Sequence, residues 1–300
     1  MICCRKYAFT WSIGVLWAIV TIFCPPLMAN AQDLPQIKAK GILRHLGVPY
    51  ANFVSGAGDG LDVELTQMFA RHIGVRYQYV KTDWPTLITD LTGIKYKLIQ
   101  NEVKILGKST VKGDVIANGL TQLGWRQQLI EFSTPTFPTQ VWLVARADSA
   151  MQPINPSDDV QRDIAQVKQL LEKRAVLGVA GTCTDPNLYD LDAVGATSRL
   201  FKGTLNELAP AIINGVADAT VLDVPDALVA LEKWPGQIKV IGPVSPVQQM
   251  GLGFAKNAPL LRAAFNDFFE MCKADGTYRQ LVKKYYPSAF LYFPRFFDSF

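Results

Sequence analysis

Residues 113–126 read GDVIANGLTQLGWR, a short apolar segment that continues through polar residues to an arginine. The segment Asp114–Ala117 has the length and composition of a buried strand. Arg126 follows its carboxyl end, and ligands of open α/β sheets bind at that edge. A guanidinium there would offer a fork of donors to a carboxylate, whereas the alternative is an ordinary surface ion pair. The stretch therefore predicts a sheet strand with a candidate anion site beyond it.

Short apolar runs of the same kind alternate with helix-period segments along the chain, and this alternation predicts an α/β fold. The predicted strands are Ile42–Val48, Val75–Val80, Asp114–Ala117, Thr139–Ala145, Ala175–Ala180, Asp218–Leu222, Ile238–Ile241 and Met250–Ala255. Amphipathic helices are predicted between them. One of these has an apolar stripe from Leu261 to Cys272 and ends at Asp275 and Gly276.

Two proline-rich segments divide the chain into blocks. Residues 133–138 read STPTFP and residues 242–246 read GPVSP. Two crossings imply a discontinuous first lobe of residues 32–138 plus 247–300 and a second lobe of residues 139–246. Residues 92–112 are longer than an ordinary connection and rich in lysine, so we interpret them as a surface insertion in the first lobe.

Composition excludes several classes of protein. Hydrophobic residues make up 49% of the 300 and charged residues 19%, which excludes a disordered chain. The formal charge of +4 is the small difference between 30 basic and 26 acidic side chains, so nucleic acid is not expected as a partner. Neither His45 nor His72 pairs with a cysteine or histidine at ligand spacing. Neither a metal nor another cofactor is expected.

The first 31 residues have the organisation of a signal peptide. Arg5 and Lys6 precede an apolar run over residues 7–24, and Ala29-Asn30-Ala31 supplies the small residues that signal peptidase recognises. We predict cleavage after Ala31 and a periplasmic protein. The alternative is an uncleaved anchor, for which the apolar run is short against about 30 Å of hydrocarbon.

Cleavage would leave two of the five cysteines, Cys183 and Cys272. Cys272 lies on the apolar face of a predicted helix and is expected in the core, whereas the turn around Cys183 favours exposure. One disulfide is possible at most, and the sequence leaves open whether the two cysteines pair.

Two further strand ends carry candidate ligand-binding groups. Gly181 and Thr182 follow one predicted strand and precede Asp185-Pro186, where free amides at a helix start would bind an anion. The alternative there is a simple turn before a capped helix. Asp223 follows another strand and either holds an ammonium group or caps the next helix.

Aromatic residues near the first strands, Tyr50, Phe53 and Trp84, either wall an organic ligand or pack in the ordinary way. The combination is more informative than its members. An arginine, a helix start and an acid on separate strand ends of two lobes would form a clamp for a carboxylate, with or without an amine. Closure of the lobes would then accompany binding.

The chain resembles the extracellular solute-binding proteins of family 3, the polar amino-acid receptors of ABC importers. The segments that carry the likeness are Gly41-Ile42-Leu43, Gly60–Leu65, Gly113–Arg126, Glu131–Pro135, Gly181-Thr182, Gly215–Asp223, Asp275–Tyr278 and Lys284–Tyr286. The resemblance covers nearly all of residues 32–287. It implies a two-lobe, type II periplasmic binding protein fold, in which each lobe is a mixed β-sheet flanked by helices and the chain crosses the hinge twice.

The resemblance also implies roles for the clamp residues. Arg126 would grip the ligand carboxylate with help from amides near Gly181-Thr182, and Asp223 would hold an α-amine. Thr121 would line the carboxylate pocket. The chain departs from the family pattern at residues 123–125, which read LGW where the family commonly has Thr-Pro-Glu, and this removes one usual hydroxyl contact.

The expected function is that of a monomeric periplasmic binding protein. It would take a small carboxylate or amino acid, with Tyr50 or Phe53 near the ligand body, and deliver it to an ABC permease without catalysis. One alternative is a secreted lyase similar to cyclohexadienyl dehydratase. Another is a sensory or partner-binding module without a transporter, which the aromatic tail over residues 290–300 motivates.

Overall fold

A computed structural model describes residues 31–56, 58–99 and 102–298. The predicted signal peptide lies outside the described residues except for Ala31. Within the described ranges, no helix has both the length and the apolar character needed to cross a membrane.

The strands form two mixed five-stranded sheets and two separate strand pairs. They are β1 (Ile42–Gly47), β2 (Arg76–Lys81), β3 (Ile94–Ile99), β4 (Glu102–Lys108), β5 (Val115–Ile116), β6 (Ile130–Phe132), β7 (Phe137–Thr139), β8 (Val141–Arg146), β9 (Ala175–Gly178), β10 (Thr197–Leu200), β11 (Ala219–Asp223), β12 (Ile238–Pro243), β13 (Gln248–Met250) and β14 (Gly253–Ala255). The first sheet has the order β2-β1-β5-β14-β6, and the second has the order β10-β9-β11-β8-β12. In each sheet the first three strands are parallel and the remaining neighbours are antiparallel.

Helices flank both sheets. The α-helices are α1 (Leu34–Lys40), α2 (Leu61–His72), α3 (Leu87–Thr92), α4 (Gly124–Gln127), α5 (Val160–Gln169), α6 (Leu208–Ile213), α7 (Val224–Lys233), α8 (Pro259–Ala274), α9 (Thr277–Tyr285), α10 (Ala289–Tyr292) and α11 (Pro294–Phe297), and 3-10 helices span Pro186–Tyr189, Leu191–Val194 and Leu205–Glu207. Helices α2, α3 and α8 pack against the first sheet, and α5, α6 and α7 pack against the second.

The chain passes between the sheets twice, after β6 and again after β12. Each passage contributes one strand to the antiparallel pair β7–β13. Two predicted strands are therefore divided. The run Thr139–Ala145 splits at Gln140 because Thr139 pairs with Gln248 in the crossing, whereas Val141 joins the second sheet. The run Met250–Ala255 likewise separates into β13 and β14.

The predicted surface insertion contains a two-stranded hairpin, β3–β4. Tyr96 and Leu98 are half-buried on one face of β3, and Lys95 and Lys97 are exposed on the other. The alternation of apolar residues with lysines in IKYKLI is a strand signal that the charge of the segment obscured. The strands β6 and β10 were also missed, since the first has three residues and the second is polar and largely exposed.

The turn after β5 directs the chain from the first sheet toward the candidate site. Asp114 precedes β5, is buried, and accepts from Nε and Nη2 of Arg44 at 3.0 and 2.6 Å. Gly119 has φ +55°, and a Cβ atom on it would lie 2.4 Å from Cδ2 of Phe53. Only glycine fits this turn.

The C-terminal segment packs across the crossing strands. Phe297 is fully buried, and its ring centroid lies 5.7 Å from that of Phe137 in β7. Tyr292 makes an edge contact with Trp142 in β8, at 5.2 Å between ring centroids. Helices α10 and α11 therefore contact both the crossing and the second sheet.

Candidate functional site

Asp223 ends β11 and lies in the contact between the two sheets. Its side chain is fully buried, and its Oδ1 accepts from the Tyr50 hydroxyl, which follows β1 of the first sheet. Oδ1 also accepts from the backbone amide of Asp226 at 3.3 Å, so Asp223 caps helix α7. Burial raises the pKa of the Asp223 carboxyl, and its hydrogen bonds and the charge of Arg126 act in the opposite direction.

Cys183 provides the second donor to Asp223. Its thiol donates to Oδ2 at 3.3 Å, and the side chain is 4% exposed. The expectation of an exposed Cys183 is therefore wrong, because the turn folds inward against Asp223. Cys183 and Cys272 are both free thiols. Nothing in the sequence around Cys183 indicated its contact with Asp223, which is 40 residues away.

Arg126 lies in the single turn of α4 and is 2% exposed. Its Nη1 donates to the carbonyl of Thr121 at 2.9 Å, and its Nη2 makes a long contact of 3.5 Å with the carbonyl of Gly181. Within the described part of the chain no carboxylate forms an ion pair with it, which argues against an ordinary surface ion pair. Burial lowers the pKa of the guanidinium from its ordinary value, yet arginine stays protonated in proteins.

Two buried polar atoms of Arg126 and Thr121 lack hydrogen-bond partners among the described residues. One is Nε of the guanidinium itself, and the other is Oγ1 of Thr121, whose carbonyl accepts from Nη1. The backbone of Thr121 forms a bridge to Met250, and its hydroxyl is near enough to Cys183 to act toward a lower pKa of that thiol. Unpaired buried polar atoms are rare in folded proteins and call for an explanation, such as a ligand that pairs with them.

The amides near Gly181 are arranged differently from the expectation. The Gly181 amide donates to Oδ2 of Asp185 at 3.2 Å, and the Thr182 amide donates to the carbonyl of Val179 at 3.3 Å. The helix that follows is one 3-10 turn capped by Asp185. The amide donors are thus satisfied within the loop, and the loop presents the Gly181 carbonyl to Arg126.

The three predicted aromatic residues form one cluster. Tyr50 stacks on Phe53 at 6.1 Å between centroids and meets Trp84 edge-on at 5.5 Å. Phe53 is buried and also contacts Phe137 and Tyr286, so it supports Tyr50 from the core. Trp84 lies 6.0 Å from the Arg126 guanidinium carbon, and Trp125 lies 5.2 Å from it on another side.

A cavity of about 770 Å³ adjoins these rings. It is lined by Trp84, Pro85, Tyr96, Lys97, Leu98, Trp125, Ala180, Gly181, Asp185 and Asn187. Its wall therefore combines the hairpin, the turn between β2 and α3, helix α4 and the Gly181 loop. Sequence reasoning missed Tyr96 and Trp125, although the inward face of IKYKLI was a usable signal for the first.

No cluster of three or more histidine, cysteine or acidic residues suited to a metal ion occurs in the ranges that the structure describes. His45 is buried in β1, with its ring nitrogens 2.8 Å from the Tyr77 hydroxyl and 2.7 Å from the Ala117 carbonyl. Its two nitrogens are thus occupied by protein groups.

The sequence matches the bacterial extracellular solute-binding proteins, family 3, over residues 93–288. It is 24% identical over 231 residues to the membrane-bound lytic murein transglycosylase F of Desulfosudis oleivorans, which covers 76% of this chain but only 44% of that relative. It is 24% identical over 287 residues to the probable amino-acid-binding protein YxeM of Bacillus subtilis, with 92% of this chain and 94% of that protein covered.

Solved structures of similar fold include a mutant of ArgBP from T. maritima. It has 25% sequence identity and a TM-score of 0.66, with 85% of this chain and 99% of that chain covered. An ancestral amino acid-binding protein, a precursor of cyclohexadienyl dehydratase, has 23% identity and a TM-score of 0.65 over 86% of this chain and 100% of its own. These likenesses confirm the predicted type II periplasmic binding protein fold.

Proposed function

The chain belongs to the bacterial extracellular solute-binding proteins of family 3, and on this premise we propose that it captures a small carboxylate-bearing ligand between two lobes. The lobes would be residues 32–138 plus 247–300 and residues 139–246. The predicted resemblance to this family is confirmed, whereas the ligand and its delivery belong to the proposal.

The observation that carries the proposal is the state of Arg126. It is a buried cation without a carboxylate partner in the described residues, and its Nε is unpaired there. Its Nη1 donates to the carbonyl of Thr121, whose hydroxyl is also unpaired. A buried charge is costly unless a counter-charge accompanies it. A ligand carboxylate would supply that charge and accept from both groups.

The contacts between the sheets support a mechanism of closure. The Tyr50 hydroxyl donates to Asp223, and the Ala51 amide donates to Oδ1 of Asn206 at 3.0 Å. Both hydrogen bonds join residues that follow β1 to residues of the proposed second lobe. They would break when the lobes separate. A ligand that bridges both sides would favour the closed form.

Delivery would follow from that closure. An inner-membrane permease of the ABC type would recognise the closed, liganded monomer in the periplasm, after removal of residues 1–31 as a signal peptide. No catalytic step is part of the proposal.

Calorimetric titration of the chain from residue 32 with amino acids and other small carboxylates tests the binding function. Arg126→Ala should weaken binding by about 2 kcal/mol or more, roughly thirtyfold, because the ligand charge loses its buried partner. Arg126→Lys should recover only part of the loss, since lysine lacks the planar fork.

Arg146→Ala is the matched control. Arg146 is the last residue of β8 in the second sheet, is half-exposed, and forms an ion pair with Asp148. It should bind like the parent protein. Unchanged affinity in a folded Arg126→Ala protein would refute the proposed role of the guanidinium.

A further inference from the structure

Resting on the proposed function, we infer that the ligand is an aromatic carboxylic acid that lacks an α-ammonium group. Some polar groups of the site already have hydrogen-bond partners and others do not, and aromatic rings line the adjoining cavity.

Asp223 already accepts hydrogen bonds from three groups of the protein. Oδ1 of Asp223 accepts from the Tyr50 hydroxyl and the Asp226 amide, and Oδ2 accepts from the Cys183 thiol. Tyr50 is held between Phe53 and Trp84. An ammonium group placed on Asp223 would compete with these buried donors, and a phenol or thiol that it displaced would lose its acceptor, which costs free energy.

The basic side of the site is unsaturated. Arg126 Nε is a donor without an acceptor, and the Thr121 hydroxyl has no partner among the described residues. Both groups can donate to an anion, and the positive charge of Arg126 would repel an ammonium group placed beside it. The site therefore offers unpaired donors to a carboxylate, whereas Asp223 already has three donors of its own.

The adjoining cavity favours a flat apolar body. Its volume of about 770 Å³ falls in the range of pockets that hold organic ligands, and it is larger than a short aliphatic acid requires. Trp84, Trp125 and Tyr96 line it, and the rings of Tyr96 and Trp125 are 5.9 Å apart. These two rings pack on each other, and together with Trp84 they give the wall flat aromatic surfaces, on which a planar ring system would be bound in preference to an alkyl chain.

The hairpin β3–β4 gives the cavity one of its walls. Tyr96, Lys97 and Leu98 line the cavity from β3, whereas Lys95 is exposed and is not among the lining residues. Trp84 and Trp125 also contact the Arg126 guanidinium, so the wall for the ring and the group for the carboxylate are adjacent. The hairpin would thus determine specificity for the ligand body.

Calorimetry with three probes tests the inference. The probes are 3-phenylpropanoate, phenylalanine, which adds the α-ammonium group, and butanoate, which lacks the ring. We expect 3-phenylpropanoate to bind more tightly than phenylalanine by roughly ten- to hundredfold, the cost of leaving a buried polar group unpaired. Butanoate should bind at least about tenfold more weakly than 3-phenylpropanoate.

Two variants separate these effects from loss of folding. Tyr50→Phe keeps the ring and removes the donor to Asp223. The affinity of the protein for 3-phenylpropanoate should then exceed its affinity for phenylalanine by a smaller factor. Tyr96→Ala should weaken 3-phenylpropanoate more than butanoate, whereas Lys95→Ala, on the opposite face of β3, should preserve the order of the three probes.

The outcomes distinguish this inference from the proposed function. Tighter binding of phenylalanine than of 3-phenylpropanoate, or equal binding of butanoate and 3-phenylpropanoate, overturns the inference and leaves the proposed function intact. If no carboxylate in the wider panel binds and Arg126→Ala changes nothing, the proposed function itself fails.

Discussion

Tyr50, Cys183 and Asp223 form a buried group in which two protonated side chains donate to one carboxylate. Burial raises the pKa of the Tyr50 hydroxyl and of the Cys183 thiol, and the neighbouring Asp223 charge raises both further. Both side chains therefore keep their protons near neutral pH. The same low-polarity surroundings that favour these protonated forms strengthen the hydrogen bonds to Asp223.

Cys183 is therefore expected to be unreactive in the folded protein. Only the thiolate attacks alkylating reagents, and a buried thiol with a raised pKa rarely forms it. In a Cys272→Ser background, alkylation of Cys183 by iodoacetamide at pH 8 should be at least about a hundredfold slower than in the urea-unfolded chain. Equal rates in the two states, followed by mass spectrometry, would contradict the buried placement.

Strand β1 of the first sheet and helix α2, which packs on that sheet, each carry a buried titratable group. Asp62, in the first turn of α2, accepts from the Gly119 amide at 2.6 Å, and burial raises its pKa to about 7. Burial lowers the pKa of His45 in β1 to about 4. The two groups affect the pH dependence of folding in opposite directions.

Asp62→Asn tests this at the start of α2. The folded protein holds a proton on Asp62 that the unfolded chain loses above pH 3.8, so this carboxyl weakens folding as pH rises from about 4 to about 7. The free energy of unfolding of Asp62→Asn should therefore rise relative to the parent protein over that window, by up to roughly 1.4 kcal/mol per pH unit. Urea denaturation at several pH values measures the difference.

His45→Gln is the control with the opposite sign. The unfolded chain binds a proton on His45 below pH 6.5, whereas the folded protein resists it until about pH 4, so stability from this group is lost as pH falls through that window. Removing His45 should raise stability relative to the parent protein as pH falls. If the free energy of unfolding changes with pH in the same way for both variants and the parent protein, neither group has a shifted pKa.

The C-terminal segment connects parts of the molecule that the two crossings separate. Arg279 in α9 donates to the Phe297 carbonyl at 2.6 Å, Phe297 packs on the crossing strand, and Tyr292 contacts Trp142 of the second sheet. Phe290, Phe293 and Phe296 are half-buried against the core, so packing accounts for most of the described aromatic side chains that suggested a partner surface, and Tyr292 is 49% exposed. Leu291 differs, with 81% of its side chain exposed.

Phe297→Ala should destabilise the protein by about 3–5 kcal/mol, the usual cost of removing a buried aromatic ring. Leu291→Ala, six residues earlier and exposed, should change the free energy of unfolding by no more than about 0.5 kcal/mol. Urea denaturation compares the two variants. Similar small effects from both would indicate that the segment does not pack on the crossing and would favour a role in contact with another protein.

Much of the architecture was predictable because buried strands appear in the sequence as apolar runs. All eight predicted runs overlap observed strands. The strands that were missed lack such a run: β10 is polar and largely exposed, and β3 alternates with lysines. Arg126 and Asp223 were predictable as site candidates because residues that follow strands gather at one edge of a sheet.

Local sequence patterns thus determine the α/β fold class and place Arg126 and Asp223 at the ends of strands. They can do so because hydrophobic periodicity and strand ends depend on residues that are neighbours in the sequence. The partners of those groups depend on distances between residues far apart in the chain. Tyr50 reaches Asp223 across 173 residues, and Cys183 reaches it across 40. The packing of the sheets and loops determines which polar atoms have hydrogen-bond partners within the protein and which remain for a ligand. The sequence alone does not determine this, because these hydrogen bonds form only where distant segments pack together.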